Sequence, residues 1–337
     1  MSKKATLTSK VYLLPFVLVT SLFFLWGFAR AILDVLNKHF QNVLDISITQ
    51  SSLIQVSTYL GYFIMAIPAG WFINRQGYRR GVVFGLLLFG IGAFMFIPGA
   101  LAGSFYGYLV ALFVIGCGLV FLETSANPYV TELGDPQTST ARLNFSQSFN
   151  GLGSMTATLA IGQFLFSGDA DSDDIVKPYI ILGFLVLLIA VVFSRVDLPE
   201  IKHKETEEDR MQDTRIMKLF RHHPMFVFGL FSLLAYEVAE ISINSYFINF
   251  VTGQGWMADD TASLVLTCAL GFFMIGRFIG AWIMRRVKAE TMLLICGIGT
   301  VTCMGLVLLT LGRLSMMALI CNYFFEAIMF PTIFSLA

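Results

Sequence analysis

The sequence predicts an all-α polytopic membrane protein built from two related helix bundles, and three observations predict it. Of its 337 residues, 56% come from AVILMFWYC and only 13% are charged, a richer apolar content than soluble domains carry. Apolar runs of about 20 residues, the length that crosses a bilayer core, recur along the whole chain. Segments of the first half also return in the second half at a near-constant offset. A water-soluble globule is excluded by the first observation, and so is disorder, which needs low hydrophobicity with high net charge. With 22 Lys+Arg against 22 Asp+Glu, the neutral chain has no overall basic field to hold nucleic acid, so none is expected as a partner.

The expected spans are 12–36, 52–73, 81–100, 105–131, 143–167, 177–195, 223–250, 261–284, 289–311 and 315 to the end. These are ten transmembrane helices. Residues 1–10 are polar with three Lys, and the apolar run after them is long and lacks a small-residue cleavage site. The first helix is therefore expected to stay in the product and not to be a cleaved signal peptide. Lys and Arg accumulate in cytoplasmic loops because they translocate poorly. Seventeen of them fall on the side of the N-terminus, against Lys38, Lys177 and Arg313 on the other, with Arg30 and Arg277 inside spans. That imbalance predicts a cytoplasmic N-terminus.

One long polar segment, 197–222, divides the chain into a six-helix bundle at 1–196 and a four-helix bundle at 223–337. Its mixed charges read as a solvated linker more than as a partner site. The acidic run Gly168-Asp169-Ala170-Asp171-Ser172-Asp173-Asp174 resembles a calcium loop only loosely, because the twelve-residue ligand pattern and closing Glu are missing. No metal site and no cofactor is expected. All five cysteines, Cys117, Cys268, Cys296, Cys303 and Cys321, fall in apolar segments without a CxxC pair, so they are expected to be small core hydrophobes.

Two stretches carry the internal repeat. Gly61-Tyr-Phe-Ile-Met-Ala-Ile-Pro-Ala-Gly70-Trp-Phe-Ile-Asn-Arg75 aligns, 210 residues later, with Gly271-Phe-Phe-Met-Ile-Gly-Arg-Phe-Ile-Gly280-Ala-Trp-Ile-Met-Arg285. Glu123-Thr-Ser-Ala-Asn-Pro128 aligns, 203 residues later, with Glu326-Ala-Ile-Met-Phe-Pro331. Order, topology and offset agree, as a parallel duplication of six-helix halves leaves them. On that pattern helices 11 and 12 are expected to be absent from the chain, as in a fragment or a natural truncation.

Helix 2 runs into Gly70-Trp71-Phe72-Ile73-Asn74-Arg75-Gln76-Gly77-Tyr78-Arg79-Arg80, which resembles the major facilitator signature GxxxD(R/K)xGRR. Gly70 and Gly77 would let helices approach closely, and Arg75 and Arg79 would pair with neighbouring helix ends to hold a gate closed. Asn74 and Tyr78 replace an acidic and a basic residue of that signature, which weakens the charge latch.

Ionisable groups inside a membrane are expensive, so each is a functional candidate. Counting about 1.5 Å per residue from the expected span centres, Glu123 and Asn150 lie about 7 Å to the cytoplasmic side of the midplane. Glu237, Glu240 and Glu326 lie near it, Arg30 roughly 9 Å and Asp34 about 15 Å toward the outside. Spacing groups Arg30 with Asp34, Glu123 with Asn127, Gln147 with Asn150, and Glu237 with Glu240 and Asn244, each set on one helix face. Polar faces on helices 1, 4, 5, 7 and 10 predict a wet central cavity. The competing explanation is interhelical hydrogen-bond glue, which serves equally well for Asn127 and Asn244; Arg30 with Asp34 also reads as an intrahelical ion pair. A carboxylate in such a cavity takes up a proton more readily than in water, because burial penalises the charged form. Sugar hydroxyls both donate and accept, which suits Asn, Gln and carboxylate groups.

Several blocks together resemble the fucose:proton symporter family, whose members include fucose and glucose/galactose permeases. They are Leu25-Trp26-Gly27-Phe28-Ala29-Arg30-Ala31-Ile32-Leu33-Asp34-Val35-Leu36, Gly61-Tyr62-Phe63 to Pro68-Ala69-Gly70, Leu122-Glu123-Thr124-Ser125-Ala126-Asn127-Pro128, Arg142-Leu143-Asn144 to Gln147-Ser148-Phe149-Asn150, and Pro331-Thr332-Ile333-Phe334-Ser335-Leu336. The resemblance implies a major facilitator fold in the bacterial inner membrane, and proton-coupled import of a monosaccharide by a monomer in the lipid bilayer. It implies that Asp34 and Glu123 carry the coupling and that Gln147 and Asn150 line the sugar site, with Asn127, Glu240, Asn244 and Arg30 as further contacts. Arg30 and Glu240 depart from the fucose branch, so glucose, galactose or an N-acetylated hexose is equally expected. The rival readings are a uniporter or efflux transporter, and a non-transporting membrane sensor. No HExxH, GxSxG or phosphate-loop motif is present, so no enzyme is expected.

Overall fold

Hydrocarbon offers a backbone amide no water to bond, so a spanning segment satisfies its own N–H and C=O groups as a helix. The structure is a computed structural model describing residues 8–134, 139–166, 176–196, 224–283, 287 and 289–336. Among them the helices are α1 (Leu13–Leu44), α2 (Ile48–Ser51), α3 (Leu53–Gln76), α4 (Tyr78–Phe94), α5 (Phe96–Leu101), α6 (Phe105–Glu132), α7 (Ser139–Phe166) and α8 (Val176–Arg195), then α9 (Pro224–Gly253), α10 (Asp259–Ile283), α11 (Ala289–Leu308), α12 (Arg313–Glu326) and α13 (Met329–Leu336). The linker 197–222, the acidic run 168–174 and the basic residues Arg285, Arg286 and Lys288 lie outside the described residues.

Among the described residues, eight stretches are long and apolar enough to cross a membrane: α1, α2 with α3, α4 with α5, α6, α8, α9, α10 and α11. The other two expected spans are helical but do not meet that test. α7 carries Arg142, Gln147 and Asn150, while α12 is only 14 residues long.

Two expected helices are broken, and proline accounts for both breaks. Pro98 has no N–H to give Phe94, and the chain turns at Met95 between α4 and α5. Pro331 likewise leaves the Ala327 carbonyl without its helical donor, and α12 gives way to α13 there. The first helix runs to Leu44, well past the expected end at 36. Measured from the centre of that longer helix, Arg30 is about 2 Å and Asp34 about 8 Å away, so Asp34 lies deeper than the expected span implied. Ser47 starts α2 with a capping box: its hydroxyl accepts from the Gln50 amide at 3.1 Å, and the Gln50 side chain accepts from the Ser47 amide at 2.9 Å.

The helices group into two units. One gathers the described residues up to 196 together with Asp259–Leu264, and the other holds the rest. Lipid is as apolar as a leucine side chain, so helices in a bilayer associate through close packing of small residues more than through hydrophobic burial. In the first unit α1 crosses α7 at Gly27 and Gly153. A Cβ on Gly27 would run into the Asn150 carbonyl, and one on Gly153 into the Phe24 carbonyl. In the second unit Gly276 and Gly280 do the same for α10 against Phe324 and Ile328. The matching expectation for Gly70 is not met: a Cβ there would meet nothing within 4 Å among the described residues. Cysteine departs from expectation as well. Cys117, Cys296 and Cys303 are buried, whereas Cys268 and Cys321 are exposed, on surfaces whose apolar neighbours such as Phe272 and Met317 are also exposed.

Arg142 is the largest fully buried side chain. The C-terminal carbonyls of α6 have no helical donors, and Arg142 supplies them: Nε donates to the Val130 carbonyl at 3.1 Å and an Nη to that of Thr131. The Thr8 hydroxyl donates to the carbonyl of the C-cap residue Leu133 at 2.7 Å.

Substituting Gly153 by Leu is expected to cost about 3 kcal/mol or more, since the clash is with backbone that cannot move aside. A thermal-unfolding scan of the purified protein checks this through a lowered midpoint. Replacing Arg142 with Ala removes charge-assisted bonds to two buried carbonyls and is expected to cost about 3 kcal/mol; the same scan, with Arg142→Lys recovering only part of the loss, tests it.

Candidate functional site

In the first unit the close α1–α7 crossing fixes where the polar side chains of both helices stand. Asn150 lies at the crossing, 9% exposed, with its Nδ2 lacking a hydrogen-bond partner. The carbonyls of Gly27 and Asn150 both accept from the Ser154 hydroxyl, at 3.1 and 3.2 Å, which ties the two backbones together there. One turn before Asn150, Gln147 donates to Asn127 of α6 at 3.2 Å. Asn127 sits four residues after Glu123, so the bond joins the amide pair of α7 to the face that carries the carboxylate.

Glu123 and Arg30 both act electrostatically on the Tyr62 hydroxyl of α3. That hydroxyl accepts a hydrogen bond from the Trp26 indole at 2.9 Å. Trp26 and Arg30 are i, i+4 on α1, so α1, α3 and α6 converge on one group of aromatic and charged side chains. Asp34, one turn further along α1, accepts from Gln55 of α3 at 3.4 Å. Arg30, Asp34, Glu123, Asn127 and Gln147 are all half-buried. The arrangement offers donors, acceptors, ring faces and carboxylates within one helix bundle.

In the second unit Tyr236, Glu240 and Asn244 repeat every four residues down α9. Glu240 is 8% exposed and acts electrostatically on Tyr236. Asn244 is half-buried and its Oδ1 has no partner; Glu237 is half-buried. The Tyr236 hydroxyl donates to the Glu326 carbonyl at 3.0 Å, and Asn322 donates to the Glu326 carboxylate at 2.6 Å. Arg277 donates through Nε to the Ala327 carbonyl at 3.1 Å, the one that Pro331 leaves without a donor, and lies 4.6 Å from the Phe273 ring centre. Arg277 thus braces the break between α12 and α13.

The loop after α3 is built by Gly77, whose φ of 86° suits a residue without a Cβ. Its amide closes α3 on the Ile73 carbonyl at 2.8 Å. Arg79 then reaches the end of α8, with Nε 3.1 Å from the Phe193 carbonyl and an Nη on that of Ser194. Arg75 instead lies over its own helix's Trp71, 4.3 Å from the ring centre.

Trp26, Tyr62, Tyr236 and Asn322 are members of these clusters that sequence spacing did not single out. The three aromatics are hidden among 33 Phe, 11 Tyr and 4 Trp. Asn322 had a usable signal, since it stands four residues before an intramembrane Glu.

The sequence matches the Major Facilitator Superfamily profile over residues 19–337. It is 34% identical to an L-fucose-proton symporter of Haemophilus influenzae, with 99% of this chain and 83% of that protein aligned. Identity to a glucose/galactose transporter of Brucella abortus is 32%, over 98% of this chain and 82% of the relative. The crystal structure of the major facilitator transporter FucP in its outward conformation superposes with a TM-score of 0.75 at 30% identity, covering 97% of this chain and 84% of the other. The D-xylose-proton symporter shares the fold, with a TM-score of 0.71 at 14% identity. The chain is a multi-pass membrane protein that belongs to the major facilitator superfamily, and within it to the family of the L-fucose-proton symporters and glucose/galactose transporters, which are transporters and not enzymes.

Proposed function

We propose that this protein is a secondary active transporter that imports a monosaccharide together with protons across the bacterial cytoplasmic membrane, with its N-terminus inside. The observation that carries this reading is the first-unit cluster in which Glu123 shares Tyr62 with Trp26 and Arg30 and lies one turn from the Asn127–Gln147 amide pair. A carboxylate among half-buried side chains can take and release a proton, and amides beside ring faces suit a sugar. The names of the fucose-proton and glucose/galactose relatives support the same substrate class.

In this reading Asp34 and Glu123 couple proton movement to transport. Gln147, Asn150, Asn127 and Arg30 in the first unit, and Glu240 and Asn244 in the second, contact the sugar. The unpartnered Nδ2 of Asn150 is a donor awaiting a hydroxyl. Gly70, Arg75, Gly77 and Arg79 form the gating segment, with Arg79 holding the end of α8. Transport proceeds by alternating access, in which the site opens first to one side of the membrane and then to the other. The sugar is fucose, glucose, galactose or an N-acetylated hexose, and the protein works as a monomer in the bilayer. The bundles are 1–196 and 223 onward, joined by 197–222.

External pH in a weakly buffered, de-energised suspension of expressing cells is expected to rise when the cognate sugar is added. No rise with any of these sugars, with the protein confirmed in the membrane, would contradict proton symport. Glu123→Gln is expected to abolish the alkalinisation; an unchanged response would remove Glu123 from the coupling role.

A further inference from the structure

Glu326 is the most buried carboxylate among the described residues, at 2% exposure. It ends α12 at the break before Pro331. Oε1 accepts from Asn322, one turn back on the same helix, at 2.6 Å. Oε2 is buried and has no hydrogen-bond partner. Its backbone carbonyl takes the Tyr236 hydroxyl. The residue lines a cavity of about 860 Å³ whose wall also includes Tyr236, Ala239, Thr300 and Met329.

Among the described residues, the only hydrogen bond to its carboxylate comes from Asn322, which is uncharged. From α9 come Tyr236 and the Glu240 carboxylate, the second of which repels a charge on Glu326; from α11 comes Cys303. Arg277 of α10 acts on Tyr236 and commits its Nε to the Ala327 carbonyl. An ionised carboxylate in that position keeps one amide bond, faces another carboxylate and leaves an oxygen bare in an apolar wall. Burial of such a charge is costly even after relaxation, whereas a proton on Oε2 removes both the charge and the repulsion.

We propose that Glu326 is a proton-carrying site in the second unit, held as the neutral acid and separate from the Glu123 site in the first unit. The sequence repeat agrees: Glu326 stands where Glu123 stands in the first half, each five residues before a proline. The free Oε2 is where the proton resides and where it leaves. Its part in coupling rests on the transporter reading above; its neutral state does not.

Infrared difference spectra of the purified full-length protein in lipid, near neutral pH, test the neutral acid without any transport step. The expected result is a carboxylic-acid C=O band, sensitive to D2O, that is lost in Glu326→Gln and displaced in Glu326→Asp, which keeps the acid. Identical spectra in all three proteins would overturn the proposal. Proteoliposomes then test the coupling role through the proton-to-sugar ratio, which is expected to fall by about one proton per sugar in Glu326→Gln and to recover in Glu326→Asp. A ratio unchanged by Glu326→Gln, alongside normal folding, would overturn that role. A wild-type protein that moves sugar without protons while keeping the band would count against symport alone.

Discussion

A polar group that enters hydrocarbon must find its partner within the protein, and that constraint organises this chain. It explains why Arg142, the bulkiest fully buried side chain, faces the carbonyl end of α6, and why Arg79 does the same for α8. It also explains how prolines sit inside spans. Each removes a donor, and where the helix parts before Pro331 the two exposed carbonyls are met by Tyr236 and Arg277. Charges that sequence alone would assign to a loop or a binding site thus prove to be fasteners of backbone.

Once these fasteners are accounted for, the remaining polar groups stand out. Gln147 and Asn127 meet side chain to side chain, Glu123 acts on Tyr62, and the Asn150 Nδ2 has no partner. Their placement depends on glycine at the α1–α7 crossing, because a side chain at Gly27 or Gly153 would separate the helices that carry Trp26, Arg30 and Asn150. Packing and chemistry therefore share the same contact, and the second unit repeats the logic with Gly276 and Gly280 beside the Glu326 helix.

Much of the fold was legible because a bilayer imposes length and hydrophobicity on each span. α6, expected at 105–131, runs Phe105–Glu132, and α8, expected at 177–195, runs Val176–Arg195. The end of α1 was not legible: residues 37–44 carry Asn37, Lys38, His39, Gln41 and Asn42, yet Asn37 and His39 are buried, so polarity there marks packing and not a loop. Cys268 and Cys321 misled in the other direction, since an apolar surrounding in a membrane chain does not distinguish core from lipid. At the site, i, i+4 spacing found carboxylates and amides on common faces. It found neither Trp26 nor Tyr62, whose partnership crosses from α1 to α3 and leaves no periodic trace.

In the proposed function the half-buried carboxylates Asp34 and Glu123 turn a proton gradient into sugar accumulation. The most direct test is radiolabelled sugar uptake into proteoliposomes holding the purified protein, with an inward proton gradient as the only energy source. The account predicts accumulation above the external concentration that collapses on adding a protonophore. Uptake that stops at equal concentrations, with or without the gradient, would contradict it.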